Sequence, residues 1–428
     1  MSSSASAVPA SSGKKSRSLV HNVLTILVLA GIKLLTRDFT VSGVTDDEVY
    51  AKHSDVWETV PRGLTHITTE DGKPLCTLLG LRKFGYADAK PFGPTNTPHT
   101  VVFLTKANGE NAKIAAFIHA GRRYWVVGSK HVSFVYEMGN LIEATAAILT
   151  QEKHCRFEAV IKIAMAWDNQ PQSKCAPLHS ELADGEWTLN CEIIYPEVQH
   201  IVPYTSADIQ FVFFAVTEEK PSEKGLTALH PFAARKFCTS FELSFVTCSE
   251  EFPYNSSEYH AELDRITYQT DAVGRICSEG VVSYGMDAAG MVVQLYKHKS
   301  ILYDLERAMR THIEMATTEA ALFVSMDKKV VELTKDETHP AVAHWIATRL
   351  PFLKRFATFL FTRHVLPIPE KREPAWLAAF DAQFLVASMF DAHKEFFAAL
   401  KEARPEKLYS LRYNLRSRWI TMQTAFAS

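Results

Sequence analysis

The stretch that decides the fold is residues 101–109, which read Val-Val-Phe-Leu-Thr-Lys-Ala-Asn-Gly. Four apolar residues at positions 101–104 predict a buried β-strand, and Gly109 predicts a turn soon after it. Lys106 therefore emerges at the end of a strand. On its own the pattern also fits a surface lysine before a turn, because a KxxG tetrapeptide arises about once by chance in a chain of this length.

A second element lies near residue 300. Glu279-Gly280-Val281-Val282 is followed, after a glycine-containing turn, by an apolar strand at 291–296 that ends in Lys297-His298-Lys299. Side chains alternate between the two faces of a strand, so Lys297 and Lys299 point to one side and His298 to the other. Two ammonium groups on one side indicate either a solvated strand edge or a site for an anion such as phosphate.

Two further candidates lie between these elements. Lys130 follows the predicted strand 124–127, and Glu192 lies inside the apolar segment 188–194. Because a buried carboxylate is costly unless it is paired, Glu192 belongs either to a structural ion pair or to a site. His131 and His298 have no ligand-like neighbours in the sequence, which favours a structural role for both.

The chain up to residue 300 is predicted to be α+β with antiparallel sheets. Short apolar runs at 101–104, 124–127, 211–216 and 291–296 predict strands, whereas 141–151 and 257–267 predict helices. The uncharged run 19–32 is too short to span a bilayer and predicts a buried N-terminal helix, with a signal or anchor as the alternative. The Ser-rich, basic residues 1–18 are predicted to be disordered and resemble a mitochondrial transit sequence.

The tail has a different composition, because all 18 glycines lie at or before Gly290. An antiparallel sheet without glycine in its turns is improbable, so residues 301–428 are predicted to form an all-helical domain. Breaks are expected at Pro340, at Pro351 and within 367–374. An acid-free basic cluster with interleaved aromatic residues suits RNA phosphates and bases, or else forms a solvated helix face. Its members are Lys407, Arg412, Arg416 and Arg418.

Composition excludes several classes of protein. The 428 residues are 47% hydrophobic and 22% charged, which indicates a folded chain rather than a disordered one. A net charge of −2 gives no global attraction to nucleic acid, so any such contact needs a local basic cluster. The seven cysteines are scattered without a CxxC pair, and the P-loop, GxGxxG and HExxH motifs are absent.

Taken in order, the candidate residues resemble the motifs of the covalent nucleotidyltransferases, the superfamily of DNA ligases, RNA ligases and mRNA capping enzymes. The flanks are most similar to the bacteriophage RNA ligase 1 family and to the adenylyltransferase domain of fungal tRNA ligases. The flanking segments are Tyr-Ala-Lys-His-Ser-Asp-Val-Trp at 50–57, Pro-Arg-Gly-Leu at 61–64, Arg-Lys-Phe at 82–84 and the stretch 192–204, which ends in Ile-Val-Pro-Tyr. The resemblance covers roughly residues 19–300.

This resemblance implies an ATP-grasp-like ligase fold and an ATP-dependent RNA ligase that joins 5′-phosphate and 3′-hydroxyl ends. Lys106 would attack ATP and hold AMP, and Lys297 and Lys299 would assist catalysis and lower the pKa of Lys106. Glu279 would orient Mg²⁺, with Mn²⁺ as an alternative metal, in addition to contacting the nucleotide. The residues implied to bind the nucleotide are Arg62, Lys83, Gly109, Lys130, Glu192, Glu279 and Gly280.

Two positions depart from the family pattern. Gly85-Tyr86 stands where the family usually has Phe-Asn, and Asn108 replaces the commoner Asp of KxDG. The rival interpretations are a catalytically inactive RNA-binding protein that keeps the fold and a GTP-dependent capping-type enzyme, which normally carries a glycine-containing barrel after the last lysine motif. The expected setting is RNA repair or processing, including that of tRNA, by a monomer without a membrane contact. The expected compartment is cytoplasm or nucleus, with the mitochondrion as the alternative.

Overall fold

The computed structural model describes most of the chain up to residue 369 and three short ranges of the tail. The described residues are 21–29, 31–40, 50, 57, 60–86, 97–149, 157–196, 199–206, 208–218, 226–271, 275–335, 339–369, 375–376, 379–380 and 415–427. The predicted disorder of residues 1–18 lies outside them.

Three antiparallel sheets form the first part of the molecule. The first contains, in spatial order, β1 (His21–Leu29), β2 (Ile32–Thr40), β3 (Thr65–Thr69) and β4 (Pro74–Leu78). The second has the order β10-β9-β6-β7-β8, with β6 (Glu110–His119), β7 (Arg122–Gly128), β8 (Ser133–Glu137), β9 (Trp187–Ile194) and β10 (Gln210–Glu218). The third has the order β11-β5-β12-β13, with β5 (Thr100–Thr105), β11 (Cys248–Pro253), β12 (Gly280–Met286) and β13 (Val292–Lys299).

The predicted N-terminal helix is wrong, because this segment forms the β1–β2 hairpin. The register runs from His21 opposite Thr40 to Leu29 opposite Ile32. A short apolar run has no periodicity that separates a helix from a strand, and its β-branched residues favour the strand. Gly31 has φ +79°, a conformation that suits the tight turn of a hairpin.

Nine α-helices occur in the described part of the chain. They are α1 (Leu141–Leu149), α2 (Glu158–Asp168), α3 (Ala176–Asp184), α4 (Pro231–Ser240), α5 (Ser257–Thr267), α6 (Ile301–Glu314), α7 (Glu319–Leu333), α8 (Pro340–Thr362) and α9 (Trp419–Ala427). The predicted helix at 257–267 is confirmed, and the one that begins at 141 is confirmed through residue 149. Helices α2 and α3 pack on the second sheet, where Trp125 meets Trp167 edge to face at 5.4 Å.

The described residues after Ser300 are helical or lie in turns, as the absence of glycine predicts. Pro340 begins α8 as expected, but Pro351 lies inside that helix instead of breaking it. A proline removes one backbone hydrogen bond, and the neighbouring Leu350 and Leu353 are buried against the other helices, which offsets that loss. None of the helices in the described residues is both long and apolar enough to cross a membrane.

The hydrophobic core of α6–α9 also includes residues from the first part of the chain. Trp345, Phe356 and Trp419 form its centre, and Ile201 and Val202, from the loop after β9, pack against it. The predicted domain boundary near Ser300 coincides with the start of α6, but the apolar contacts cross it. An independent C-terminal domain therefore stays a prediction.

Candidate functional site

Lys106 lies directly after β5, at the point where β5 and β12 pair. Its backbone N–H donates to the Gly280 carbonyl at 2.8 Å, and the Glu279 N–H donates to the Lys106 carbonyl at 3.3 Å. This pairing brings the Lys106 ammonium 2.9 Å from Glu279 Oε2, while Lys299 approaches Oε1 at 2.7 Å. Two lysines that are remote from each other in the sequence, Lys106 and Lys299, thus meet at the carboxylate of Glu279.

The two predicted glycines allow backbone segments to approach closely. Gly280 has φ +129°, and a Cβ at this position would lie 2.0 Å from the His298 carbonyl oxygen. A Cβ at Gly109 would lie 2.3 Å from the Ile193 carbonyl oxygen. Only glycine fits either position, so both residues shape the site. Their contact with a nucleotide stays a prediction.

A cleft with a volume of about 200 Å³ brings most of the predicted nucleotide-binding residues together. We call it the cationic cleft, because six of its side chains are basic and one is acidic. Its ionisable residues are Arg62, Arg82, Lys83, Lys106, Lys130, Lys297 and Glu192. They come from the loops around β3 and β4, the end of β5, the β7–β8 turn, β9 and β13. So many cations around one carboxylate suit a polyanionic ligand.

An apolar slot adjoins the cationic cleft. Phe84, Phe214, Val282 and Tyr284 are among its walls, and it shares Lys106 and Glu192 with the cleft. Phe214 is the extra residue of a β-bulge, since Phe213 pairs with Cys191 and Ala215 with Asn190. The bulge turns Phe214 toward this slot while Phe213 stays in the core of the second sheet. The alternation of side chains along β10 does not predict this position of Phe214.

The electrostatics of Lys106 differ from the prediction. Burial lowers the pKa of Lys106, but attraction by Glu279 and then Glu192 outweighs it, so that the pKa is raised above its usual value. The structure therefore differs from the expectation that Lys297 and Lys299 lower this pKa. Lys299 is paired with Glu279, and the Lys297 ammonium lies 4.2 Å from the centre of the Tyr86 ring.

The two carboxyl groups of the site have opposite pKa shifts. Burial raises the pKa of Glu279, but Lys106 and Lys299 outweigh it and bring the pKa down to about 2. Burial raises the pKa of Glu192 to about 8; Glu279 and Glu110 add to the increase, and Lys106 opposes it. Glu192 therefore holds its proton more tightly than an ordinary carboxyl, and in the protonated form it can donate as well as accept a hydrogen bond.

The predicted metal role of Glu279 does not fit this arrangement. Both of its carboxylate oxygens accept from lysines, so neither faces an open coordination position. Within the described ranges, no group of three or more His, Cys, Asp or Glu side chains could hold a metal ion. In that part of the chain, Glu279 therefore has too few neighbouring carboxylate, imidazole or thiolate groups with which to form a metal site.

The hydrogen bonds of Asn108 explain why an amide suits this position, where the KxDG motif has an aspartate. Its Nδ2 donates to Glu279 Oε2 at 3.2 Å, and its Oδ1 accepts from the backbone N–H groups of Ile201 and Val202 at 3.0 and 3.2 Å. A carboxylate has no donor and would repel Glu279. At the second departure, the Gly85 carbonyl accepts from the Lys297 N–H at 2.9 Å, and the Lys297 ammonium lies over the Tyr86 ring.

Several residues of the site were missed in the sequence. Lys113 is buried, and its ammonium donates to the carbonyls of Arg62 and Gly63 at 3.0 and 2.9 Å, which fixes the loop that carries Arg62. Tyr303 accepts from Asn108 Nδ2 at 3.3 Å, and Lys299 lies 4.9 Å from the centre of its ring. These contacts join distant parts of the chain, so no local motif signals them.

The predicted RNA-binding cluster is only partly described. Lys407 and Arg412 lie outside the described residues, as does the side chain of Arg416. Arg418 is 1% exposed and packs in the core of the C-terminal helices. A side chain so deeply buried does not reach an RNA phosphate, which corrects the prediction for Arg418. His298, predicted to be structural, bonds Ser283 Oγ at 3.0 Å on the face of β13 away from the cleft.

Comparison with known proteins identifies the family. No curated protein matches the sequence. Among solved structures, an archaeal ATP-dependent RNA ligase (form 1) is similar with a TM-score of 0.47 and 14% identity, over 89% of this chain and 84% of that chain. A mutant of the Naegleria gruberi RNA ligase with ATP and Mn gives a TM-score of 0.29 and 13% identity, over 49% and 51%. The family described as a domain of unknown function (DUF7920) matches residues 3–310, and the chain therefore belongs to that family.

Proposed function

We propose that the protein is an ATP-dependent RNA ligase that works through a covalent lysyl-AMP intermediate. The observation that supports this most directly is the position of Lys106, which lines both the cationic cleft and the apolar slot. A nucleoside triphosphate has a flat apolar base and a polyanionic tail, and the two cavities match these two parts. Lys106 would then lie where the α-phosphate joins them.

In the first step the Lys106 amine attacks the α-phosphorus of ATP. A P–N bond forms, the bond between the α-phosphorus and the oxygen that bridges to the β-phosphate breaks, and pyrophosphate leaves. The nitrogen, which becomes positively charged in the attack, then loses one proton to solvent. The ammonium must first lose a proton, which its pairing with Glu279 opposes. The Lys106 side chain would have to turn away from Glu279 toward the α-phosphorus before it loses this proton, and Lys299 would then remain as the partner of Glu279. The basic side chains of the cleft would then stabilise charge on the departing pyrophosphate.

The two later steps move AMP and then release it. An oxygen of an RNA 5′-phosphate attacks the phosphorus of lysyl-AMP, the P–N bond breaks, and Lys106 recovers its proton. A 3′-hydroxyl then attacks the activated 5′-phosphate, loses its proton, and expels AMP to leave a 3′,5′-phosphodiester. A bound Mg²⁺ or Mn²⁺ would supply charge neutralisation at phosphate oxygens. RNA repair or processing, including that of tRNA, is the setting that we propose for this activity.

The first test is transfer of label from ATP to the protein. We expect the purified chain, given Mg²⁺ and ATP labelled at the α-phosphate, to carry an acid-labile AMP adduct on denaturing gels and by intact mass. Lys106→Arg should abolish the adduct, because an arginine keeps the positive charge beside Glu279 but is not deprotonated. Lys73→Ala removes an exposed lysine and should label like the wild type.

The other outcomes decide between the rival functions. Label from GTP and not from ATP would replace this proposal by a capping-type activity. A folded wild-type protein that takes label from neither nucleotide would favour an RNA-binding protein that keeps the fold without the reaction. Label that persists in Lys106→Arg would overturn the assignment of Lys106.

A further inference from the structure

The loop at residues 199–204, which contains the Ile-Val-Pro-Tyr sequence, contacts Asn108 but lines neither cavity of the candidate site. A buried glutamine, Gln199, holds the two ends of the loop together. Gln199 Oε1 accepts from the Tyr204 N–H at 2.6 Å, and Gln199 Nε2 donates to the carbonyls of Tyr204 and Pro196 at 2.9 and 3.1 Å. These hydrogen bonds fix the backbone that carries the Tyr204 side chain.

The loop holds Asn108 by three hydrogen bonds. The Tyr204 hydroxyl accepts from the Asn108 backbone N–H at 2.8 Å, and the two other bonds run from the Ile201 and Val202 N–H groups to Asn108 Oδ1. Asn108 follows Lys106 closely in the segment after β5. The loop therefore fixes the main chain directly beside the candidate nucleophile.

A second tyrosine reaches Asn108 from α6. The Tyr303 hydroxyl accepts from Asn108 Nδ2, the nitrogen that also donates to Glu279 Oε2. Tyr303 is buried, and its ring also lies beside the Lys299 ammonium. The main chain and the side-chain amide of Asn108 are therefore each bonded to a tyrosine hydroxyl.

Both tyrosines are anchored in the core of the C-terminal helices. Tyr303, Ile201 and Val202 are buried members of that core, and Tyr204 packs against it. Side chains in a close-packed core have little freedom to shift. The helical part of the chain thus determines where the two hydroxyls lie, and through Asn108 it holds the segment that follows the nucleophile.

We propose that Tyr204 and Tyr303 are positioning residues for lysyl-AMP formation, because they hold the main chain beside Lys106 in place through Asn108. The Lys106 side chain has to turn from Glu279 toward the α-phosphorus, and a fixed main chain brings its amine to the reacting distance. A misplacement of about 1 Å can slow such a step about a hundredfold. This assignment rests on the proposed ligase function.

Removal of each hydroxyl tests the assignment. Tyr204→Phe and Tyr303→Phe keep the ring and lose one hydrogen bond, and lysyl-AMP formation is measured by rapid-quench labelling over a range of ATP concentrations. We expect the maximum rate constant to fall about tenfold in each variant, the effect of one hydrogen bond. The ATP concentration that gives half of this rate should stay unchanged, because neither tyrosine lines the cationic cleft or the apolar slot.

Tyr195→Phe is the matched control. The Tyr195 hydroxyl is buried without a hydrogen-bond partner in the described part of the chain, so this variant should react like the wild type. A loss of folded protein alone would lower the amount of labelled protein at an unchanged rate constant, which separates instability from misplacement of the nucleophile.

A double variant shows whether Tyr303 acts through Asn108. Asn108→Ala removes the nitrogen that donates to Tyr303. In the Asn108→Ala background, Tyr303→Phe should therefore have no further effect on the rate constant. An undiminished effect of Tyr303→Phe in that background would show that Tyr303 does not act through Asn108.

Hydrogen exchange tests the contact of Tyr204 without the reaction. The peptide that contains Asn108 should exchange faster in Tyr204→Phe than in the wild type or Tyr195→Phe, because the Asn108 N–H loses its acceptor. A wild type that takes label, together with wild-type rate constants in both tyrosine variants, would refute the positioning role and leave the ligase proposal intact. A wild type that forms no lysyl-AMP would refute the ligase proposal and the positioning role, and faster exchange in Tyr204→Phe would then establish the hydrogen bond alone.

Discussion

At the scale of single residues, Asn108 ties the nucleophile loop to the rest of the site. It donates to Glu279 and Tyr303 and accepts from two backbone N–H groups. Asn108→Asp should lower the free energy of unfolding by about 1–3 kcal/mol, because two donated bonds are lost and a second carboxylate faces Glu279. Urea unfolding measures this. Asn140→Asp, at an exposed position, is the control, and an equal effect in both variants would contradict the role of Asn108.

The raised pKa of Glu192 predicts that the free energy of unfolding depends on pH. Its pKa of about 8 lies above the ordinary carboxyl value, so the folded protein holds this proton more tightly than the unfolded chain. The unfolded state loses the proton first, and the contribution of Glu192 to the free energy of unfolding falls as pH rises from about 4.5 to 8. Glu192→Gln does not titrate, so it should gain stability relative to wild type by roughly 2–4 kcal/mol between pH 5 and pH 8.

Urea unfolding at several pH values checks this, with Glu143→Gln on the exposed side of α1 as the control. Parallel stability curves for wild type and Glu192→Gln would show that Glu192 has no raised pKa.

At the scale of elements, the pairing of β12 with β13 depends on Gly280. A methyl group there would lie 2.0 Å from the His298 carbonyl oxygen, at a φ of +129°. Gly280→Ala should therefore separate the strand ends that carry Glu279 and Lys299, and lower the free energy of unfolding by about 3 kcal/mol or more. Gly290→Ala is a matched control, since its φ is also positive, +78°, but no atom lies within 4 Å of the added carbon. We expect that control to lose about 1 kcal/mol in urea unfolding. Similar losses in the two variants would mean that backbone strain, and not the close approach, decides the cost.

The elements differ in how well the sequence predicts them. The strands around Lys106 and Lys299 are predicted because their apolar runs end at glycine or charged residues. The N-terminal hairpin is missed because a short apolar run carries no period, and the continuity of α8 across Pro351 depends on tertiary packing. The position of Phe214 depends on a bulge that exists only through pairing with β9.

At the scale of the whole molecule, the candidate site forms where the sheets approach one another. Contacts between residues that are distant in the chain therefore cannot be predicted from local motifs. The motif resemblance identifies Lys106, Glu279 and Lys299, which the structure brings together. It gives no sign of Lys113 or Tyr303, because their roles arise from contacts with residues remote in the chain. The pKa of Lys106 is also misjudged, since the sequence does not show that Glu279 accepts from two lysines.

The core that joins the helices to the loop at 201–204 predicts one cooperative unit. Leu353 is fully buried in α8, and Leu353→Ala should lower the free energy of unfolding by about 2–5 kcal/mol. Because Ile201 and Val202 pack in the same core and bond Asn108, the loss should extend to the second sheet. Hydrogen exchange in increasing urea, read by mass spectrometry on peptides that contain Trp125 and Trp345, measures each region. We expect both peptides to lose protection at the same lower urea concentration. A shift confined to the Trp345 peptide would instead show an independent C-terminal domain that begins near Ser300.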